Sequence, residues 1–147
     1  MEIRASRGAN GQFQRAYDGT SSTLVAARHD LIDWLTERGY DQELRDRAAL
    51  VLSELATNAV QASPGSDYGV RARTGGDGSA VMTVTSHTEF EQPPPREHWG
   101  PATALALRGR GLMIVDEVAD DVQVDLPSRH IIEVTATLRP PMPGLPV

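Results

Sequence analysis

The chain has 147 residues, of which 39% are hydrophobic, and this suits a single globular domain with one sizeable core. Its formal net charge of −6 at pH 7 argues against general binding to nucleic-acid backbones, because such binding requires a basic surface. The absence of cysteine excludes disulfide frameworks and thiolate chemistry. All 14 basic side chains are arginines, which excludes a P-loop lysine and a Schiff-base lysine.

The ends of the chain and its apolar runs indicate a cytoplasmic protein with one folded domain. No apolar run is long enough for a transmembrane helix, and the polar start MEIRASRGANGQ lacks the apolar segment of a signal peptide. Residues 1–12 are expected to form a flexible N-terminal arm. The proline-rich residues 140–147 are expected to be a disordered tail, which leaves residues 13–139 as the domain.

Two helices are predicted after a short edge strand over residues 13–17. The first shows apolar residues at helical spacing, with Ser21 or Ser22 as its N-cap and Gly39 at its end. The second runs from about residue 42 to residue 62, where the sequence Ser-Pro-Gly stops it.

A hairpin and a long loop are predicted next. Two strand-like runs, residues 68–73 and 80–86, flank the sequence TGGDG, which is typical of a hairpin connection. Residues 88–108 then include three consecutive prolines. A long loop inside a compact domain is more often functional than idle, so this segment is a candidate part of a site.

The last part of the domain is predicted to be a helix followed by two strands. A glycine turn over residues 109–111 leads into apolar residues at helical spacing over 112–119, and strand patterns cover residues 122–126 and 131–138. Adjacent strands with short turns favour antiparallel pairing, with the helices on one face. The predicted fold class is therefore α+β: a two-layer α/β sandwich with a mixed, mostly antiparallel sheet.

The stretch SELATNAV places an acid and a carboxamide on one side of an otherwise apolar helix. Glu54 and Asn58 are four residues apart, so they project in almost the same direction. A carboxamide oxygen suits Mg²⁺, and a nearby carboxylate can accept a proton from an attacking hydroxyl or water. The pair is therefore a candidate for holding a metal-nucleotide and activating a nucleophile. The alternative is a solvated helix face, because this spacing often arises by chance.

The stretch RGRGLMIVDEVAD is the second candidate motif. Gly109 and Gly111 would free the backbone to approach a ligand closely, and the helix N-terminus after them would be a natural phosphate seat. Arg108 and Arg110 would add charge-assisted contacts, and Leu112 would hold the helix against the sheet. The alternative is an ordinary glycine-containing loop before a helix.

Together the two motifs resemble those of the GHKL (Bergerat-fold) ATPases. SELATNAVQAS is similar to the N box of that superfamily, and GRGLMIVDEVAD is similar to its later glycine box. Within the superfamily, roughly residues 24–138 resemble the short bacterial anti-sigma-factor serine kinases and their actinobacterial relatives. Two motifs in the right order and spacing are far more specific than either one alone.

The resemblance implies a Bergerat sandwich that binds ATP with Mg²⁺ and phosphorylates serine or threonine on a partner protein. Glu54 would match the catalytic acid that activates the hydroxyl, and Asn58 would match the Mg²⁺ ligand. Residues 109–111 would match the phosphate-binding turn, and residues 88–108 the ATP lid. The nucleotide-binding residues implied in this way are Asn58, Ala62, Ser86, Arg108, Gly109, Arg110, Gly111 and Leu112.

The resemblance also implies partners. Members of this family sequester a sigma factor and phosphorylate an antagonist of the STAS-domain class, and they are often homodimers. We therefore expect a sigma factor, a STAS-domain antagonist or both, with no direct contact to nucleic acid or membrane.

On the adenine side of the implied pocket, the sequence departs from the superfamily. An aspartate that bonds the adenine amino group usually follows the strand over 81–85, where this chain has Ser86, or His87 if the register slips by one. Ala62 stands where close relatives often have histidine, and residues 129–132 replace an expected glycine and threonine. These departures keep a second interpretation open, a degenerate module that binds a regulatory partner without ATP turnover. A histidine-kinase catalytic domain fits less well, since no phosphoacceptor-helix region is found.

The remaining aromatic and imidazole side chains give weaker indications. The four histidines are dispersed and show no metal-ligand spacing. Trp34 is expected to pack in the first helix. Trp99, between prolines, either packs the long loop onto the body or anchors a partner.

Overall fold

A computed structural model describes residues 6–7, 11–88 and 106–141 of the chain. In these residues a six-stranded sheet forms one layer, and three helices form a second layer on one face of the sheet. The predicted α+β two-layer sandwich is confirmed. The sheet is antiparallel at every described pairing, rather than mixed.

The helices and strands follow the predicted order, with one short strand added at the start. Among the described residues no helix is long and apolar enough to cross a membrane. The elements are β1 (Ser6–Arg7), β2 (Phe13–Tyr17), α1 (Thr23–Glu37), α2 (Gln42–Ala62), β3 (Tyr68–Thr74), β4 (Ala80–His87), α3 (Ala106–Val118), β5 (Asp121–Ser128) and β6 (Ile131–Leu138).

The strand order in the sheet is β1-β2-β3-β4-β6-β5. Helix α3 belongs to the connection between β4 and β5, and since β6 lies between those two strands, this connection crosses over β6. The crossover places α3 beside α2 on the helix face of the sheet, where the two helices are in contact.

The N-terminal region differs from its prediction. Ser6 and Arg7 pair with Gln14 and Phe13, so β2 is flanked on both sides and is not an edge strand. Unpaired N–H and C=O groups of a strand edge readily accept another strand, which explains this pairing within the predicted arm. The other parts of the arm before Gly11 lie outside the described residues. So do residues 89–105 of the predicted lid over 88–108, which include Trp99, and the tail from residue 142, whereas residues 106–108 of the predicted lid belong to α3.

Local backbone chemistry sets the boundary between α1 and α2. Ser22 precedes α1, although its hydroxyl makes no capping hydrogen bond. Gly39 has a left-handed φ of 84°, and the N–H groups of Gly39 and Tyr40 bond to carbonyl oxygens of the last helical turn at 3.0 and 3.2 Å. Asp41 then caps α2 by accepting a hydrogen bond from the Leu44 N–H at 2.9 Å. The predicted end of the first helix at Gly39 is confirmed.

Trp34 attaches α1 to the first strands. Its side chain is buried, its ring lies 6.3 Å from that of Phe13 between centroids, and its indole N–H donates to the Gly11 carbonyl oxygen at 2.9 Å. The expectation that Trp34 packs in the first helix is confirmed.

Helix α2 is the central helix of the helix layer. It contacts α1 on one side and α3 on the other, and it lies across β3, β4 and β6. Alternate residues of β6 point toward the helix layer and are buried. Burying a valine, isoleucine or leucine side chain contributes about 1.5–3 kcal/mol to the stability of the fold. The buried residues of α2 are Leu44, Ala48, Val51, Leu52, Leu55, Ala56 and Ala59.

Arg47 of α2 binds the C-terminal end of α3. Its guanidinium donates to the Val118 carbonyl oxygen at 2.9 and 3.1 Å and to the Asp120 carboxylate at 2.9 Å. Asp120 also accepts a hydrogen bond from the Arg139 backbone N–H at 2.7 Å. Burial opposes ionisation of Asp120, but these hydrogen bonds outweigh it and hold the pKa of the carboxyl below its ordinary value. Arg47 therefore satisfies a terminal carbonyl that has no donor within its own helix.

We expect Arg47→Met to lower the free energy of unfolding by about 1–3 kcal/mol, because the Val118 carbonyl loses the guanidinium donor and the Asp120 carboxylate keeps only its hydrogen bond from the Arg139 N–H. Urea unfolding followed by circular dichroism at pH 7 measures the loss. Arg28→Met, at an exposed position of α1, is the matched control and should change stability by less than about 0.5 kcal/mol. Equal losses in the two variants would contradict the assigned role of Arg47.

The pH dependence gives a second readout of the same contact. Because the pKa of Asp120 is lowered in the folded state, its contribution is present above the unfolded pKa and lost as pH falls through the folded pKa. The difference between wild type and Arg47→Met should therefore shrink in acid.

Candidate functional site

A cleft opens between α2, α3 and the end of β4. The volume that water-sized molecules can occupy in it is about 40 Å³, room for about three of them, and the empty volume including the open mouth is about 450 Å³. Three polar residues line it, Asn58, Ser86 and His87. The apolar lining residues are Leu55, Ala59, Ala62, Val84, Leu112, Ile132 and Val134.

Helix α2 turns one continuous face toward the cleft. Leu55, Asn58, Ala59 and Ala62 follow the helical spacing that puts residues on a single side. Asn58 is half-buried, and its carboxamide has no hydrogen-bond partner within the described ranges. The neighbouring alanines are small and leave room around the carboxamide. It therefore stands accessible to a ligand in a mostly apolar wall.

Glu54 lies one helical turn before Asn58 and outside the lining of the cleft. It is partly exposed, and its carboxylate makes no ion pair or hydrogen bond with the residues that the structure describes. The predicted pair thus shares one side of α2, with Asn58 in the cleft and Glu54 at its edge. Glu54 is accessible to a group that approaches from solvent.

The end of β4 contributes Ser86 to the cleft. Successive side chains of a strand point to opposite faces, and Ser86 follows Val84 on the face that carries the helices. Ser86 is paired in register with Ile132 of β6, which is another lining residue. His87 reaches the rim and is exposed. The register therefore assigns Ser86 to the helix face.

The turn between β5 and β6 holds the chain just after β4. The Thr88 N–H donates to the His130 carbonyl oxygen at 2.9 Å, and His130 Nδ1 lies 3.2 Å from the Thr88 carbonyl oxygen. His130 has φ of 64°, a left-handed conformation that is uncommon outside glycine, although histidine adopts it more readily than most residues. This contact secures the chain at the point where the predicted lid begins.

Helix α3 begins at Ala106, so Gly109 and Gly111 lie inside a helix and the predicted glycine turn is wrong in its secondary structure. Glycine costs about 1 kcal/mol in a helix relative to alanine, but the alanine, leucine and arginine around these glycines are strong helix formers. The buried Leu112 and Val115 also anchor the helix to the core.

The structure brings four of the predicted nucleotide-binding residues into one cleft: Asn58, Ala62, Ser86 and Leu112. The other four predicted residues form the helical turn of α3 directly before the buried Leu112: Arg108, Gly109, Arg110 and Gly111.

Sequence reasoning missed two apolar residues that the strands contribute to the cleft, Val84 and Val134, and it noted Ile132 only as part of the altered segment 129–132. Their alternation along β4 and β6 predicts burial but not a ligand cleft. Which buried residues line a cavity depends on how far the helices stand from the sheet, and no local pattern encodes that distance.

Sequence comparison with protein families matches residues 19–137 to the histidine kinase-like ATPase domain. The matched range includes every lining residue of the cleft. Comparison with curated proteins finds no match.

Comparison with solved structures finds the RsbU and RsbW domains of Rv1364c from Mycobacterium tuberculosis, with a TM-score of 0.64 and 21% sequence identity. The alignment covers 88% of this chain and 32% of that chain, so the protein spans about a third of the length of the solved relative. This likeness concerns the fold. The family match covers most of the sequence and confirms the predicted GHKL superfamily: the chain belongs to the histidine kinase-like ATPase domain family.

Proposed function

We propose that the protein binds ATP with Mg²⁺ in the cleft and transfers a phosphoryl group to a serine or threonine of a partner protein. One observation carries this proposal. In a chain of an ATPase domain family, the carboxamide of Asn58 stands in a mostly apolar cleft and the carboxylate of Glu54 lies one turn away at its edge, and neither has a partner among the residues that the structure describes. That is one ligand-binding group and one proton acceptor on the same helix.

The lining of the cleft suits the base of a nucleotide. Seven of its ten lining residues are apolar, which favours a flat, neutral ring over a charged group. The empty volume of about 450 Å³, which includes the open mouth, is large enough for such a ring.

The residues present also fit a magnesium ion. No group of three or more histidine, aspartate or glutamate side chains that could hold a metal occurs in the described parts of the chain. Mg²⁺ usually takes only one or two ligands from the protein and keeps phosphate oxygens and waters, so Asn58 would suffice. When bound, the ion would supply positive charge that stabilises the phosphates during transfer.

Arg108, Gly109, Arg110 and Gly111 remain the proposed phosphate contacts. These residues belong to the first two described turns of α3, and a helix N-terminus favours bound phosphate. The two arginines would add charge-assisted hydrogen bonds.

Glu54 is the proposed general base. A carboxylate that is not already held by a basic side chain can accept the proton of an attacking hydroxyl as the phosphoryl group moves. Its position beside the cleft, rather than in it, suits a hydroxyl that a partner protein delivers from solvent.

The proposed partners are a sigma factor and a STAS-class antagonist, with the protein acting as a homodimer in the cytoplasm. The two motifs support this branch of the family, and the likeness to a chain with RsbU and RsbW domains supports a regulatory role. The second candidate function, partner binding without ATP turnover, rests on Ser86, an uncharged hydroxyl where the family resemblance implies an aspartate.

We expect isothermal titration calorimetry to detect binding of ATP in the presence of MgCl₂. Asn58→Ala should weaken this binding by about tenfold or more, because a hydrogen bond or ligand contact to a charged group is worth about 1.5–3 kcal/mol. In EDTA the ATP affinities of the wild type and the variant should differ little, since the variant loses only the metal-dependent part of the binding free energy.

Gln61→Ala is the control for this experiment, because Gln61 is exposed on the same helix and outside the cleft lining. It should leave ATP affinity unchanged. Absence of any binding at millimolar ATP would overturn nucleotide binding and leave the partner-binding module as the function.

We expect Glu54→Gln to slow phosphoryl transfer to a STAS-domain antagonist from the same genome by about 10²–10⁴-fold, because the hydroxyl loses its proton acceptor. ATP affinity should change by less than about threefold, since Glu54 lies outside the cleft. Transfer of radiolabelled γ-phosphate measures the rate. Glu117→Gln, at an exposed position of α3, is the matched control. If both variants transfer phosphate at the wild-type rate, Glu54 is not the base.

A further inference from the structure

We infer that Ser86 makes the cleft tolerant of the group at position 6 of a purine, so that the protein binds GTP and ITP nearly as well as ATP. This inference rests on the proposed function and names the class of nucleotide that the same site accepts. Its basis is the hydrogen-bonding character of Ser86 and His87, the polar lining residues other than the proposed magnesium ligand Asn58, with position 6 of the purine facing Ser86 as the family resemblance implies.

Each of these two groups can both donate and accept a hydrogen bond. Ser86 has a hydroxyl, and His87 has an imidazole that can donate and accept when neutral. No aspartate, glutamate or arginine lines the cleft within the described residues. No polar side chain in this lining is therefore restricted to donating or to accepting hydrogen bonds.

Ser86 differs from the other hydroxyls near the end of β4. Thr83 and Thr85, on the opposite face of the strand, are each engaged at 3.0 Å, with the Thr135 hydroxyl and the Glu133 carboxylate. The Ser86 hydroxyl faces the cleft and has no partner in the part of the chain that the structure describes. Its proton is therefore free to rotate to suit a ligand.

A site rejects the wrong ligand strongly when that ligand would leave a buried group without a partner because the group can only donate, or can only accept, a hydrogen bond. A carboxylate, for example, accepts from an amino group and repels a carbonyl oxygen. A serine hydroxyl accepts from the 6-amino group of adenine and donates to the 6-oxo group of guanine or hypoxanthine. The apolar remainder of the lining forms no hydrogen bond with position 6 of either ring system, so little discrimination at that position is left.

The test is calorimetric titration of the wild-type protein with ATP, GTP and ITP in MgCl₂. We expect the three dissociation constants to agree within about tenfold. Ser86→Asp, which replaces an amphoteric group with an acceptor, should weaken GTP and ITP relative to ATP by at least about tenfold. Ser86→Ala should weaken all three nucleotides by a similar factor and leave their ratio unchanged.

Gln14→Asp adds the same charge at an exposed position of β2 that does not line the cleft, and it should leave all three constants unchanged. A wild-type preference for ATP greater than about tenfold would overturn this inference and leave the proposed function standing. An unchanged ratio in a folded Ser86→Asp variant would overturn the role of Ser86. Failure of all three nucleotides to bind at millimolar concentration would overturn the proposed function and, with it, this inference.

Discussion

The packing of α2 across β4 and β6 is the interaction on which the candidate site depends. Leu55 and Ala59 belong to the buried face of the helix and also line the cleft, and Asn58 lies between them in sequence. The burial that fixes the rotation of α2 about its axis therefore also aims Asn58 into the cleft and leaves Glu54 at its edge. Because interiors are close-packed, a rotation that moved either polar group would have to break the core.

The other wall of the cleft depends on the contact between α2 and α3. Leu112 extends from α3 into the core, and Arg47 holds the far end of the same helix through the Val118 carbonyl. One contact lies at the midpoint of α3 and the other at its C-terminal end, so together they set the position of α3 relative to α2. A site at the junction of three elements gains its shape from such contacts and from no single segment of the chain.

Much of the fold was predictable from local patterns. Apolar spacing, the Gly39 stop and the turn after residue 62 predicted α1 and α2, and alternation predicted the strands. The glycine segment of α3 was not predictable in this way. Glycine-rich sequence favours a turn in isolation, whereas burial of Leu112 and Val115 draws the preceding residues into the helix. The pairing of Ser6–Arg7 with β2 is likewise a tertiary event, since two residues carry no strand pattern of their own.

The sequence by itself determined the element order, the likeness to the ATPase superfamily and the placement of Glu54 and Asn58 on one side of a helix. These follow from short-range chemistry, namely the helical repeat, the capping residues and the motif spacing. Only the tertiary structure decided that Asn58 faces the cleft, that Ser86 rather than His87 points toward the helices, and that Val84, Ile132 and Val134 join them. The reason is that strand register and helix rotation are set by packing between segments that are distant in sequence.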